Sequence, residues 1–139
     1  NINEPYGYDV EFTIDEDFIK NFTKAHNALD KPNRFMVECK IIDKEKYIEF
    51  QVGDGASYAN KVKLRQIAEY NLGIEILPFS ANVMREILTA NKNVSGKGFI
   101  NEQGLMKLQF VILGLNLHLL NHLIRQVEFL YDVRHHNVL

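Results

Sequence analysis

The chain has 139 residues, 46% of them hydrophobic and 24% charged, the profile of one ordinary globular domain with enough apolar material for a core. A formal net charge of −2 excludes nucleic-acid binding by bulk charge, so any basic surface has to be local. The single cysteine, Cys39, excludes an internal disulfide and reads as a small buried hydrophobe in an alternating run.

Residues 1–9 contain Pro5-Tyr6-Gly7 and read as a linker. They lack the charged and apolar regions of a signal peptide, so a cytoplasmic location, or the host's nucleic-acid compartment, is expected rather than secretion. The start at Asn1 is expected to reflect a removed leader or a longer parent chain. Val10, Phe12 and Ile14 alternate with Glu11 and Thr13, which predicts a strand with one wet face. A helix follows. Thr13 with Glu16 fits a capping box, and Asp15 is an equally good N-cap. Phe18, Phe22, Ala25 and Leu29 recur at helical spacing with Ile19 on the flank. Asp30-Lys31-Pro32-Asn33 ends the helix, because Pro32 cannot continue the hydrogen-bond ladder.

Three strands come next. Phe35, Val37, Cys39 and Ile41 mark the first, Asp43-Lys44-Glu45-Lys46 the turn, 47–52 the second and 61–67 the third. A second unit opens at Gly73 with a strand at 74–77, ended by Pro78. Ser80 is the N-cap of a helix whose apolar face is Val83, Met84, Ile87 and Leu88, and Asn91-Lys92-Asn93 ends it. A short strand around 98–100, a turn at 101–104, a strong strand at 105–112 and a last strand at 127–133 complete the unit. Between the last two, 113–126 is ambiguous. Leu113, Leu115, Leu117 and Leu119 alternate like a strand, whereas Leu113, Leu117, Leu120, Ile124 and Val127 fit a helix. An extended hairpin with a helical turn near 118–124 is expected. The most apolar run, 110–124, is broken by Asn116, His118, Asn121 and His122 and is too short and polar for a membrane span. Residues 134–139 read as a tail.

No catalytic set stands out, and the chain is expected not to be an enzyme. His118 and His122 share a helical spacing that suits metal ligands, but neither a His-Glu-x-x-His pattern nor a cysteine pair accompanies them. No metal or cofactor is expected. Asp15, Glu16 and Asp17 offset a helix dipole and need no acid–base role. At about 100° per residue, Lys20, Lys24, Asn27 and Lys31 fall opposite the apolar stripe of the first helix. Asn82, Arg85, Thr89 and Lys92 do so on the second. The ordinary meaning of such faces is solvation.

The order strand–helix–strand–strand–strand, met twice, resembles one domain of the DNA sliding clamps, the family of the proliferating cell nuclear antigen, the checkpoint clamps and the T4-type bacteriophage clamps. The likeness is carried by 77–88, Leu77-Pro78-Phe79-Ser80-Ala81-Asn82-Val83-Met84-Arg85-Glu86-Ile87-Leu88. Behind them stand Gly104-Leu105-Met106-Lys107-Leu108-Gln109-Phe110 and Val127-Glu128-Phe129-Leu130-Tyr131, and 10–29 is similar to the other strand-plus-helix of a clamp. The resemblance implies an α+β, DNA-clamp-like domain over 10–133. Its two βαβββ units would span 10–70 and 73–133, with two adjacent helices on one face of antiparallel sheets. It implies a DNA polymerase processivity factor that encircles duplex DNA as part of a ring. The eight polar helix residues above would touch phosphates without reading bases. A DNA polymerase and a clamp loader would be its partners, with ring closure by edge strands around 61–67 and in the last part of the chain. Clamp subunits carry two or three such domains and this chain has room for one, so it is expected to be the C-terminal domain of a longer subunit. The leucine-rich 113–126 departs from the short polar turn usual in clamps. The competing expectation is an α+β interaction or scaffold module that dimerises through that segment. An enzyme domain acting on a small molecule is a third.

Overall fold

The first alternating run forms β1 (Val10–Ile14), with Val10, Phe12 and Ile14 buried and Thr13 exposed. The computed structural model describes residues 7–53, 61–112 and 123–127. Asp15 caps α1 (Glu16–Ala28), its Oδ1 accepting the Phe18 N–H at 2.7 Å, so the cap is Asp15 rather than Thr13. Glu16 and Asp17 fill the first turn, where carboxylates suit the positive end of the helix. Beyond Leu29 the backbone turns left-handed at Asp30 (φ 64°) and Lys31 (φ 52°), and the Lys31 N–H donates to the His26 carbonyl. The strands β2 (Arg34–Ile42), β3 (Glu45–Val52) and β4 (Val62–Tyr70) follow. Only Asp43 and Lys44 make the β2–β3 turn, both with positive φ as a tight hairpin requires. Glu45 and Lys46, expected in the turn, begin β3 instead.

The second unit comprises β5 (Leu77–Ser80), α2 (Ala81–Ala90), β6 (Gly96–Ile100), β7 (Met106–Ile112) and β8 (Leu123–Val127). Ser80 caps α2 through its hydroxyl, which accepts the Val83 N–H at 3.3 Å. The strand expected at 74–77 lies later, and Pro78 sits inside it rather than at its end. Ile74 is held aside by β2: its carbonyl accepts from the Cys39 N–H, and its own N–H donates to Cys39 Sγ. Pro78 is tolerated because β5 ends the strand order of the described residues, so one side of its backbone needs no ladder donor. The last strand also differs. Leu123 and Ile124, expected in a helical turn, pair with Ile112 and Val111 in β8. The rest of that expectation, 113–122 and 128–133, lies outside the described residues, as do the linker 1–6 and the tail.

The fold is mixed α+β. Every neighbouring pair in the sheet order β5-β2-β3-β4-β1-β6-β7-β8 is antiparallel. The first strands join the two units: β1 pairs with β4 of its own unit and with β6 of the second, and β5 stands apart from its unit and pairs with β2. Both helices pack on one another and on the sheet, α1 over β3 and β4, α2 over β2 and β5. They run antiparallel. The Ala81 N–H at the start of α2 bonds the Asn33 carbonyl just past α1, and Asp17 shares a groove with Asn93 at the other end. Of the two expected edges, β4 lies inside the order, between β3 and β1. Its ladder to β1 covers only 68–70, however, and 62–67 pairs with β3 alone among the described residues.

A run of phenylalanines fills the space under the helices. Phe18 stands 4.7 Å from Phe50 between ring centroids, Phe12 5.2 Å from Phe50, Phe22 5.1 Å from Phe35, and Phe35 5.9 Å from Phe79. Gly98, paired with Phe12, leaves room for that ring. A Cβ there would stand 2.1 Å from Phe12 Cζ. Gly98→Ala is therefore expected to lower stability by about 1–3 kcal/mol through overpacking. The check is the urea midpoint at unchanged m-value, and an unmoved midpoint would contradict this packing.

Candidate nucleic-acid interface

The helix faces opposite the core collect most of the predicted residues. Lys20, Lys24, Asn27, Asn82, Thr89 and Lys92 are exposed. Lys31 is exposed too, but it stands past the end of α1 in the left-handed turn and not on the helix face. Arg85 differs as well. It is half-buried, because its position on α2 turns toward α1 rather than straight out. Lys20 and Thr23 of α1 face Arg85 and Thr89 of α2, and Lys92 of the turn that follows α2 rather than of the helix itself, across a groove of about 590 Å³, with Glu16 and Asp17 at the N-terminal end of α1. Lys24, Asn27, Lys31 and Asn82 do not line it. A larger groove, about 800 Å³, separates 73–78 from 102–104 and carries the carboxylates Glu75 and Glu102, a poor match for phosphate.

The opposite face of the sheet handles charge differently. Glu49 alternates with the core residues Ile48 and Phe50, yet it is only 1% exposed itself. Neighbouring strands cover it. Arg65 Nε donates to Glu49 Oε2 at 3.0 Å, and Gln51 Nε2 donates to both Glu49 and Glu38 at 2.9 and 2.8 Å. Lys40 pairs with Glu38 at 3.3 Å, and Lys97 with Glu11 at 3.0 Å. Lys107 sits 5.0 Å over the rings of Tyr8 and Phe99. Burial of the Glu49 carboxyl works to raise its pKa, but the bonds from Gln51 and Arg65 and the charges of Lys40 and Lys63 outweigh that and hold it below the ordinary value. By contrast, none of Lys20, Lys24, Lys31, Arg85 and Lys92 is in an ion pair among the described residues.

His26 lies fully buried at the helix contact, with Nε2 2.9 Å from the Pro32 carbonyl. Desolvation lowers its pKa, with Arg85 and Lys31 adding to the effect against the Pro32 bond. The Cys39 thiol is pushed up by burial, the reverse of an activated nucleophile. Among the described residues no group of three or more His, Cys, Asp or Glu could hold a metal ion, and no helix is long and apolar enough to cross a membrane. His118, His122, His135 and His136 lie outside the described residues. Glu49 and His26 escaped sequence reading. Each was legible only as a polar residue in a regular pattern, and its burial depends on side chains from other elements.

Compared with known proteins, the chain matches no family model, no curated protein and no solved structure.

The Glu49 network makes stability depend on acid. A carboxylate whose folded pKa is depressed stabilises the fold above its unfolded pKa, and that contribution is lost as pH falls through the folded value. Glu49→Gln should therefore be less stable than the parent at pH 7, by about 1–3 kcal/mol. The gap should close as pH falls through and below the carboxylate range. Urea midpoints taken down the pH scale check this, and a gap constant with pH would contradict it.

Proposed function

We propose that the chain is a sliding-clamp-type domain, which holds duplex DNA without reading its sequence and serves as a processivity factor for a DNA polymerase. The observation that carries the proposal is the uneven fate of its cations. On the outer face of the sheet Lys40, Arg65 and Lys97 are paired with carboxylates, with Lys63 the exception, while on the helix side Lys20, Lys24, Arg85 and Lys92 are all left without ion pairs among the described residues. Unpaired cations on rigid helices attract phosphates weakly and smoothly, which suits a protein that must stay on DNA and still move along it. The duplicated βαβββ order and the side-by-side helices support this reading. Retention would come from enclosure in a ring of such domains, with edge strands such as 62–67 of β4 meeting neighbouring domains and a clamp loader opening the ring.

A second proposal, an interaction module without a DNA role, is favoured by exposed apolar side chains, with Leu72 99%, Ile67 66% and Ile41 65% exposed. The leucine-rich segment first considered for dimerisation lies at 113–126, of which only 123–126 is described.

Two measurements separate these proposals. The full-length assembly is expected to stay on closed circular DNA and to leave the same DNA once it is linearised, and equal retention on both would defeat the clamp proposal. Replacing Lys20 or Lys92 by alanine should weaken duplex binding equally for all sequences and flatten the salt dependence of log K by about one unit per lost phosphate contact. An unchanged slope would remove these residues from the interface.

A further inference from the structure

The groove between the helices does not treat all the helix-side cations alike. Lys20 of α1, Arg85 of α2 and Lys92 of the turn after α2 line it, and Lys24 does not. These three cations are met by two carboxylates, Glu16 and Asp17, so the charged lining residues leave a single positive charge. The carboxylates also close one end. In the adjoining groove of about 530 Å³ Glu16 and Asp17 recur with Asp15, and no cation is among the lining residues. An anion beside Lys20 and Arg85 therefore has no place for a second one next to it in that direction, where like charge repels it. The donors are also distinct. The Thr23 hydroxyl is taken by the carbonyls of Ile19 and Lys20 in its own helix, at 2.9 and 3.0 Å, whereas Thr89 is exposed. Arg85 is half-buried, is in no ion pair among the described residues, and has a buried Nε–H without a hydrogen-bond partner. A guanidinium restrained by burial presents its donors in a fixed fork, which suits an oxyanion with several acceptor oxygens.

We propose that the groove is a seat for one phosphate group, held by the Arg85 guanidinium and the ammonium groups of Lys20 and Lys92, with the Thr89 hydroxyl as a further donor and with Glu16 and Asp17 as a stop that keeps a second phosphate out. For the source of that phosphate, a diester of a DNA backbone, the inference rests on the function proposed above. Free phosphate shares the chemistry. A phosphodiester carries one negative charge, the amount that the lining residues leave uncompensated. Lys24, outside the groove, acts on DNA through general attraction alone. The two carboxylates hold the affinity of the seat down, so that it does not become a place where a sliding protein sticks.

Two arms test the seat. In the first, inorganic phosphate is added to the full chain at neutral pH, with chloride at matched ionic strength as the control, and backbone amides are followed by NMR. The expected result is one saturating set of shifts at Lys20, Arg85, Thr89 and Lys92, with Lys24 and Asn82 unmoved. The set should vanish in the double variant Lys20→Ala/Lys92→Ala, whose two positions are exposed and carry no part of the core. Shifts spread along both helices, or none beyond the chloride control, overturn the proposal. The second arm measures binding of a short duplex by the same chain over a range of salt. The double variant should flatten the slope of log K against log salt by about 0.9 in all, one phosphate of B-DNA, and a loss of about 1.8, or no loss, overturns the single seat. Glu16→Gln with Asp17→Asn should tighten duplex binding, and unchanged or weaker binding overturns the stop. Phosphate in the groove without duplex binding would fell the DNA reading and leave the seat with free phosphate as its ligand. Duplex binding without phosphate in the groove would fell the seat alone.

Discussion

The two halves of this chain share one sheet, joined at two seams, β1 against β6 and β5 against β2, and that joining is the constraint on which the rest depends. β1 belongs to the first unit by sequence and pairs with β4 of that unit over three residue pairs, and it is also laddered to β6 over five. β5, followed directly by α2, is laddered to β2 over four. At one seam Phe12 lies on Gly98, and at the other Phe35 pairs with Phe79. Because α1 leaves β1 after a single cap residue and α2 leaves β5 after none, fixing the two seams fixes where both helices start. They then have little choice but to lie antiparallel and side by side. The phenylalanines beneath them, from both units, form one core rather than two.

That arrangement gives the molecule two electrostatically different faces despite a net charge of −2. On the outer face the pleat sets Glu38, Glu49 and Arg65 in one cross-strand row, with Lys40 next to it, so charges meet their opposites at hydrogen-bond distance. On the helix side Lys20, Lys24 and Arg85 lie on the two helices and Lys92 just past α2, and the nearby carboxylates Glu16 and Asp17 gather at one end, where the dipole of α1 favours them. Charges that are already paired add little to long-range attraction, whereas unpaired ones act over a screening length of about 8–10 Å at physiological salt. Overall composition therefore does not describe the charge of either face.

Much of this was legible in the sequence, for identifiable reasons. The alternation at Val10, Phe12 and Ile14, the caps at Asp15 and Ser80 and the stripe from Phe18 to Leu29 are local signals, and local physics decides them. The failures share a different origin. Pro78 reads as a strand end until β5 is known to lie at the end of the sheet order, and Ile74 reads as strand until Cys39 is seen to hold it aside. Arg85 reads as outward until α2 has α1 beside it. Lys31 reads as a helix residue because the left-handed turn that ends α1 leaves little trace beyond Pro32 two positions before β2. Glu49 reads as solvated until the rows of β2 and β4 close over it. Each of these depends on register between elements far apart in the chain, which periodicity does not encode.

The central claim is that phosphates are attracted to the helix side and not to the sheet. The most direct test is a titration of the folded chain with a short duplex of random sequence at low salt, following backbone amides by NMR. The account predicts that the shifts concentrate on Lys20, Lys24, Arg85, Thr89 and Lys92 and fade as salt is added, with Lys40, Arg65 and Lys97 unmoved. Shifts spread evenly over both faces, or centred on the outer face of the sheet, would contradict it.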